Sequence, residues 1–156
     1  MKKLVKEINI KYTYDPTHSG AHYTIDGTHY MNGGDITEVC IKSALGFECK
    51  KDGNTPYNKG SDIEELNASV KSSKATVANM VLGDTMETSM DTFFATVHST
   101  LFIYGIIIEN DITMYFMDSV EFREFLTDWA KLNERGYMRL KATSGKMIKW
   151  FEERVA

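Results

Sequence analysis

The stretch from Gly60 to Val77, GSDIEELNASVKSSKATV, holds the residue types of metal-assisted hydrolysis. Asp62 stands just ahead of a turn, EELN, and the strand that follows carries Ser69, Lys71 and Ser73 at alternate positions. Side chains alternate along a strand, so Ala68, Val70 and Ser72 face one way, toward a core, while Ser69, Lys71 and Ser73 face the other. A short hairpin at EELN would bring the Asp62 carboxylate beside Ser69 and Lys71. A carboxylate, a lysine and one more acid on adjacent strands can hold Mg²⁺ and activate a water. Mg²⁺ prefers oxygen ligands and keeps several waters, so few carboxylates suffice. Plainer roles exist for the same residues: Asp62 can cap the turn, and Lys71 can be a solvated strand lysine.

Other reactive residues form weaker patterns. His18-x3-His22 has the spacing of a metal pair on a helix, but it crosses Gly20 and runs into a strand, so these residues and His29 read as loop and hairpin histidines. His98 reads as a strand-end residue near the site. Ser73 and Lys74 can donate hydrogen bonds to a phosphate or to a partner. Arg135, Arg139, Lys141, Lys146 and Lys149 make a basic tail that can hold DNA phosphates or simply face solvent. Cys40 and Cys49 lack a metal-like spacing and read as free thiols of a reducing cytoplasm. Gly-rich phosphate loops, zinc-ligand clusters and a nucleophile elbow are absent from the sequence.

The elements that must position these residues are legible in outline. EINIKYTY alternates Ile8, Ile10 and Tyr12 with polar neighbours and predicts a strand. HYTIDGTHY places Asp26-Gly27 between alternating segments, the signal of a tight hairpin. GGDITEVCIKSALG switches to helical spacing, with Asp35 and Glu38 as a capping box and Gly46 as the stop. A loop follows FEC, a strand runs from Asn67 to Val77, and LGDTMETSMDTFF predicts a short helix or ordered loop. TLFIYGIIIENDITMYFMD predicts two strands joined at Asn110-Asp111, the first central and buried. DSVEFREFLTDWAKLNERG is the clearest helix: Phe122, Phe125, Leu126 and Trp129 recur at helical spacing, and Asp118 with Glu121 forms a second capping box. YMRLK predicts a short strand, and TSGKMIKWFEERV a terminal helix with Met147, Ile148 and Phe151 inward. The sum is one α/β domain over 1–156, a mixed sheet with helices on both faces and an N-terminal β-hairpin.

A chain of 156 residues with 42% hydrophobic and 26% charged residues can bury a sizeable core and is not a disordered sequence. No apolar run is long enough for a membrane span, and no secretory leader follows the first lysines. The net charge of −4 is unevenly spread. Residues 1–60 carry 8 Lys/Arg against 7 Asp/Glu, residues 61–130 carry 3 against 12, and residues 131–156 carry 7 against 3. An acidic middle with a basic tail fits a metal site beside a phosphate-binding face, or a surface that binds a basic protein.

Helix, loop, Asp62, hairpin, then Ser69-x-Lys71 on a buried strand resembles the core of the PD-(D/E)xK nucleases, which include restriction enzymes and Holliday-junction resolvases. The resemblance covers about 34–117, with the C-terminal helices, 119–155, outside it. It implies a restriction-endonuclease-like fold and Mg²⁺- or Mn²⁺-dependent DNA cleavage. Asp62 would be the metal-binding acid, Val70 would add its carbonyl, and Lys71 would orient or activate the water. Ser69 stands where the family has its strand acid. Some restriction enzymes carry Ser-x-Lys and draw the acid from a following segment, which points to Glu87. Resolvase-like members carry a glutamate on the first helix, which points to Glu38. Glu38 also has its capping-box role, and Glu87 can be surface charge. More loosely, the chain resembles small proteins of phages and other mobile elements, some of them anti-CRISPR inhibitors. On that reading the acidic segment, with Glu64 and Glu65, contacts an RNA-guided CRISPR nuclease. The expected partners are therefore DNA or a CRISPR nuclease, with a homodimer as a further option. The expected location is a bacterial cytoplasm, with no membrane association.

Overall fold

The computed structural model describes residues 1–17, 23–25, 28–30, 33–47, 62–73, 78–81, 91, 94–95, 97–132, 138–142 and 144–155, with the backbone alone at 28–30, 33–35, 73, 78–81, 130–132, 138–142 and 144. In chain order the elements are β1 (Lys2–Glu7), β2 (Thr13–Tyr14), β3 (Tyr23–Ile25), β4 (Thr28–Tyr30), α1 (Gly33–Ala44), β5 (Ala68–Ser73), β6 (Ala78–Val81), β7 (Leu101–Ile108), β8 (Asp111–Met117), α2 (Ser119–Trp129), β9 (Ala130–Leu132), β10 (Met138–Ala142) and α3 (Ser144–Arg154). The architecture is mixed α/β. A central sheet runs β1-β8-β7-β5, antiparallel except for the parallel pair β5–β7. Two antiparallel three-stranded sheets, β2-β3-β4 and β6-β10-β9, accompany it.

Helices cover both faces of the central sheet. On one face Phe122, Phe125 and Leu126 of α2 and Met147, Trp150 and Phe151 of α3 pack on Phe102, Tyr104, Ile106, Tyr115 and Met117. On the other, Ile36, Cys40 and Ile41 of α1 pack on Ala68, Val70, Ile103, Ile112 and Met114, with Ile8, Tyr12, Tyr23 and Ile25 at the margin. β7 is central and buried because its side chains alternate between these two cores, Phe102, Tyr104 and Ile106 on one and Ile103 on the other. Among the described residues no helix is long and apolar enough to cross a membrane.

Helix ends follow the capping rules where sequence and geometry agree. The Glu121 N–H donates to Asp118 Oδ1 at 2.8 Å and the Asp118 N–H to Glu121 Oε1 at 3.2 Å, a reciprocal capping box for α2. α1 stops at Gly46, whose φ of 82° lets the Phe47 N–H reach the Lys42 carbonyl (2.9 Å) and the Gly46 N–H the Ser43 carbonyl (3.0 Å).

Several boundaries differ from the sequence expectation. The first strand is Lys2–Glu7 rather than residues 7–14, because its partner β8 begins at Asp111, opposite Glu7, and beyond it the chain turns at Glu109-Asn110, where Ile8 makes one last bond to the Asn110 carbonyl. Ile8, Ile10 and Tyr12 keep their half-buried alternation outside the strand. α1 begins at Gly33, so Asp35 lies inside the first turn rather than at the cap. The β7–β8 hairpin turns on Glu109-Asn110, one residue earlier than expected, with Glu109 in the left-handed region at φ 54°. Of the strand expected from Asn67 to Val77, the described part is Ala68–Ser73, with 74–77 outside the described residues, and β6 belongs to a different sheet. Trp129 is half-buried rather than fully so, and Trp150, unremarked in the sequence, is buried instead. The loop expected after FEC and the helix expected within 82–94 fall on residues outside those described or only partly described.

Candidate active site at the outer edge of strand β5

Among the described residues β5 is an edge strand of the central sheet, pairing in parallel with β7 on one side. Its other edge is closed for one residue by a tight hairpin. The Ile63 N–H donates to the Ala68 carbonyl (3.0 Å) and the Ala68 N–H to the Ile63 carbonyl (3.1 Å), across a short 3-10 turn at Glu64–Leu66. Asn67 ends that turn in a left-handed conformation, φ 48°, ψ 47°, which asparagine tolerates better than most residues. Its side chain then ties the hairpin to the entry of β7: Nδ2 donates to the His98 carbonyl at 3.1 Å and to Thr100 Oγ1 at 3.3 Å.

The hairpin sets Asp62 against β5. Because both backbone groups of Ala68 point away from β7, those of Val70, two residues on, do the same. The Val70 N–H donates to Asp62 Oδ2 at 2.7 Å, and the Val70 carbonyl opens on the same edge. Asp62 itself is exposed, and among the described residues its Oδ1 has no protein donor.

Ser69 and Lys71 lie on the α2/α3 face, in register with Phe102 and Tyr104 of β7, opposite to the α1 face that takes Ala68 and Val70. The alternation read from the sequence is thus the one the strand adopts. Ser69 is buried, and its hydroxyl shares a 2.6 Å hydrogen bond with Ser99. Lys71 is half-buried and forms no ion pair with Asp62.

The other candidates lie on several different elements. Glu64 and Glu65 are exposed on the 3-10 turn. Glu38, half-buried, belongs to α1 and so to the opposite face of the sheet from Ser69 and Lys71. Lys146 is exposed on α3. Arg139 and Lys141 occupy alternate positions of β10, paired with Val81 and Asn79 of β6. Ser73 ends β5. Glu87 and Lys74 lie outside the described residues, as do His18, His22, Arg135 and Cys49. Among the described residues no three His, Cys, Asp or Glu side chains gather into a metal-binding group.

Sequence reasoning missed Ser99 and Asn67. Ser99 lies 30 residues from Ser69, and only the parallel pairing of β5 with β7 makes them neighbours. Asn67 carried a local signal, an asparagine between a turn and a strand, which marks left-handed backbone.

Comparison with family models, with curated proteins and with solved structures gave no match for this chain.

Proposed function

We propose that the outer edge of β5 is a divalent-metal site for DNA phosphodiester cleavage, of the PD-(D/E)xK kind, in a protein of a phage or mobile element acting in a bacterial cytoplasm. One observation carries this reading: the hairpin pins the exposed Asp62 carboxylate to Val70, the residue between Ser69 and Lys71, through Oδ2, while Oδ1 takes no donor among the described residues. The donor set fits Mg²⁺ or Mn²⁺ in its leanest form, one carboxylate and the Val70 carbonyl, with waters and substrate phosphate completing the shell. A bound ion there would lower the pKa of a water and polarise the phosphate. Asp62 and the Val70 carbonyl would hold that ion. Lys71 would orient the attacking water and offset the charge gathering on the phosphate. Ser69, locked to Ser99, would keep the strand in place rather than bind metal. Glu87 and Glu38 stand as the candidates for a second acid, and Ser73, Lys74, Arg139, Lys141 and Lys146 as the DNA-holding set.

The experiment is cleavage of duplex, branched and single-stranded DNA by the purified chain with Mg²⁺ and with Mn²⁺. Wild type should cut at least one of them. Asp62→Ala and Lys71→Ala, each verified as folded, should not. Absence of cutting by wild type on all three substrates with both ions overturns the nuclease reading.

A second reading has its own supporting observation. Ser69 is committed to Ser99, while Asp62, Glu64 and Glu65 stand exposed together around one turn. That acidic tip suits an anti-CRISPR role, docking on the basic DNA channel of an RNA-guided nuclease. Inhibition would then survive Lys71→Ala and be lost, with rising salt or with Glu64→Lys plus Glu65→Lys. If neither change weakens inhibition, the tip is not the contact.

A further inference from the structure

The central sheet has a second edge, β1, remote from the candidate site. It pairs with β8 on one side, and among the described residues no strand pairs with its other side. The Ile8 N–H donates to the Asn110 carbonyl at 2.8 Å. By the two-residue period of an antiparallel ladder, Lys6, Leu4 and Lys2 also bond toward β8, so the N–H and C=O groups of Lys3, Val5 and Glu7 point outward. Val5 is 47% exposed, and Lys2, Lys6 and Glu7 are exposed around it. The segment reads KKLVKE.

We propose that two copies of this chain associate through these outer edges, antiparallel and centred on Val5, joining two four-stranded sheets into one. Edge lysines ordinarily prevent such pairing, so the register is what matters. With Val5 opposite its symmetry mate, Lys3 lies opposite Glu7 and Glu7 opposite Lys3, while Leu4 meets Lys6 and Lys2 meets Ile8. No like charges face each other. Every neighbouring symmetric register is worse. Centring on Leu4 sets Lys2 against Lys6; centring on Lys3, Lys6 or Glu7 sets each of those charges against itself. The two exposed valines would meet on the same face of the joined sheet, a cross-strand pair that buries both. Lys3 already bonds Glu152 of α3, so the mate's Glu7 would extend an existing ion pair into a three-membered network. The lysines thus act as a register key: they reject other strands and accept this one.

The outward direction of the Val5 N–H supplies a clean test. Proline there removes a donor that the fold of one copy does not use, and edge strands tolerate proline at such positions. Sedimentation equilibrium of the full chain, into the high-micromolar range, should give twice the 17.7 kDa chain mass at the top of the range. Val5→Pro should give a monomer with an unchanged circular dichroism spectrum. Glu7→Lys should also give a monomer, and adding Lys3→Glu to it should restore the dimer in part, because the swap recreates both cross-strand pairs while giving up the Lys3–Glu152 pair. Val5→Cys should form an intermolecular disulfide under mild oxidation, since a hydrogen-bonded antiparallel pair lies within disulfide reach. A wild-type monomer throughout the range overturns the proposal. So does a dimer that persists in both Val5→Pro and Glu7→Lys. If Val5→Pro does not fold, the Glu7→Lys variant and its charge swap decide alone.

Discussion

The two faces of the central sheet are filled in different ways. The α2/α3 face is aromatic: Phe102 stacks on Phe122 with centroids 4.2 Å apart, Tyr115 on Phe151 at 4.3 Å, and Phe125 meets Tyr104, Phe151 and Trp150 at 5.1–5.5 Å. The α1 face is aliphatic and depends on close approach. Gly105 sits under the helix, and a Cβ there would come within 2.7 Å of Ile41 Cδ1 and 3.1 Å of Thr37 Cγ2. One face is held by large side chains that fill space, the other by the absence of one. The polar edge of β5 is built where the two meet, so its geometry depends on both.

The largest expected effect tests the aromatic face. Phe125 is fully buried among the rings of Tyr104, Phe122, Trp150 and Phe151, and Phe125→Ala should cost about 3–5 kcal/mol in chemical denaturation, the usual range for emptying a large aromatic site. A loss below about 1 kcal/mol would mean that the neighbouring rings collapse into the space, and that the face is plastic rather than packed.

Gly105→Ala tests the other face by addition. The clash falls on the tip of Ile41, which can turn, and on Thr37, which is buried, so the cost should be about 1–3 kcal/mol. Ile41→Val removes Cδ1 and should recover part of that loss in the double variant. Strict additivity of the two changes would show that α1 does not press on Gly105 as closely as the distance says.

These faces differ in how far the sequence revealed them. α2 could be placed because Phe122, Phe125 and Leu126 repeat at helical spacing and Asp118 and Glu121 form a cap, both local signals. Gly46 and the pairing of β3 with β4 were legible for the same reason. Gly105 was not, since a glycine inside an apolar run looks like any other weak strand residue until the helix above it is known. Nor was the strand order: β1, first in the chain, pairs with β8, and β5 pairs in parallel with β7, across long stretches of sequence that carry no register information. At the site, alternation alone separated Ser69 and Lys71 from Val70. The Ser69–Ser99 bond needed the parallel pairing, and the placement of Glu38 across the sheet from Lys71 needed α1's docking.

The polar edge should respond more weakly in stability than in chemistry, which makes Asp62 the sharper probe. Asp62→Ala removes the acceptor of the Val70 N–H and should cost about 0.5–1.5 kcal/mol, as a partly solvated hydrogen bond does. Asp62→Asn keeps an oxygen acceptor and should return most of that stability. It also removes the negative charge, so the proposed metal-dependent cleavage should fall in Asn and Ala variants alike. Activity that follows stability, recovered in Asn, would assign Asp62 to the hairpin alone.

The smallest effect concerns the tie between the aromatic face and β1. Glu152 of α3 accepts hydrogen bonds from Lys3 and, at 2.7 Å, from the Tyr115 hydroxyl. These two donors hold its carboxyl below the ordinary value, Lys3 first and Tyr115 second. A carboxylate whose pKa is lower in the folded than in the unfolded chain stabilises the fold above its unfolded pKa, and the gain is lost as pH falls through the folded one. Glu152→Gln should therefore lower stability at neutral pH and make no difference in acid, below both values. Because Glu152 is partly exposed, the neutral-pH loss should stay within about 1 kcal/mol. Tyr115 moves the other way: burial first, then Glu152, raises its pKa, so its contribution persists through neutral pH and is lost only in strong alkali. Thermal melts of wild type and Glu152→Gln across the acid range give the check. Curves that stay apart by the same margin below pH about 3 would show that the loss comes from the amide's altered hydrogen bonding rather than from the charge.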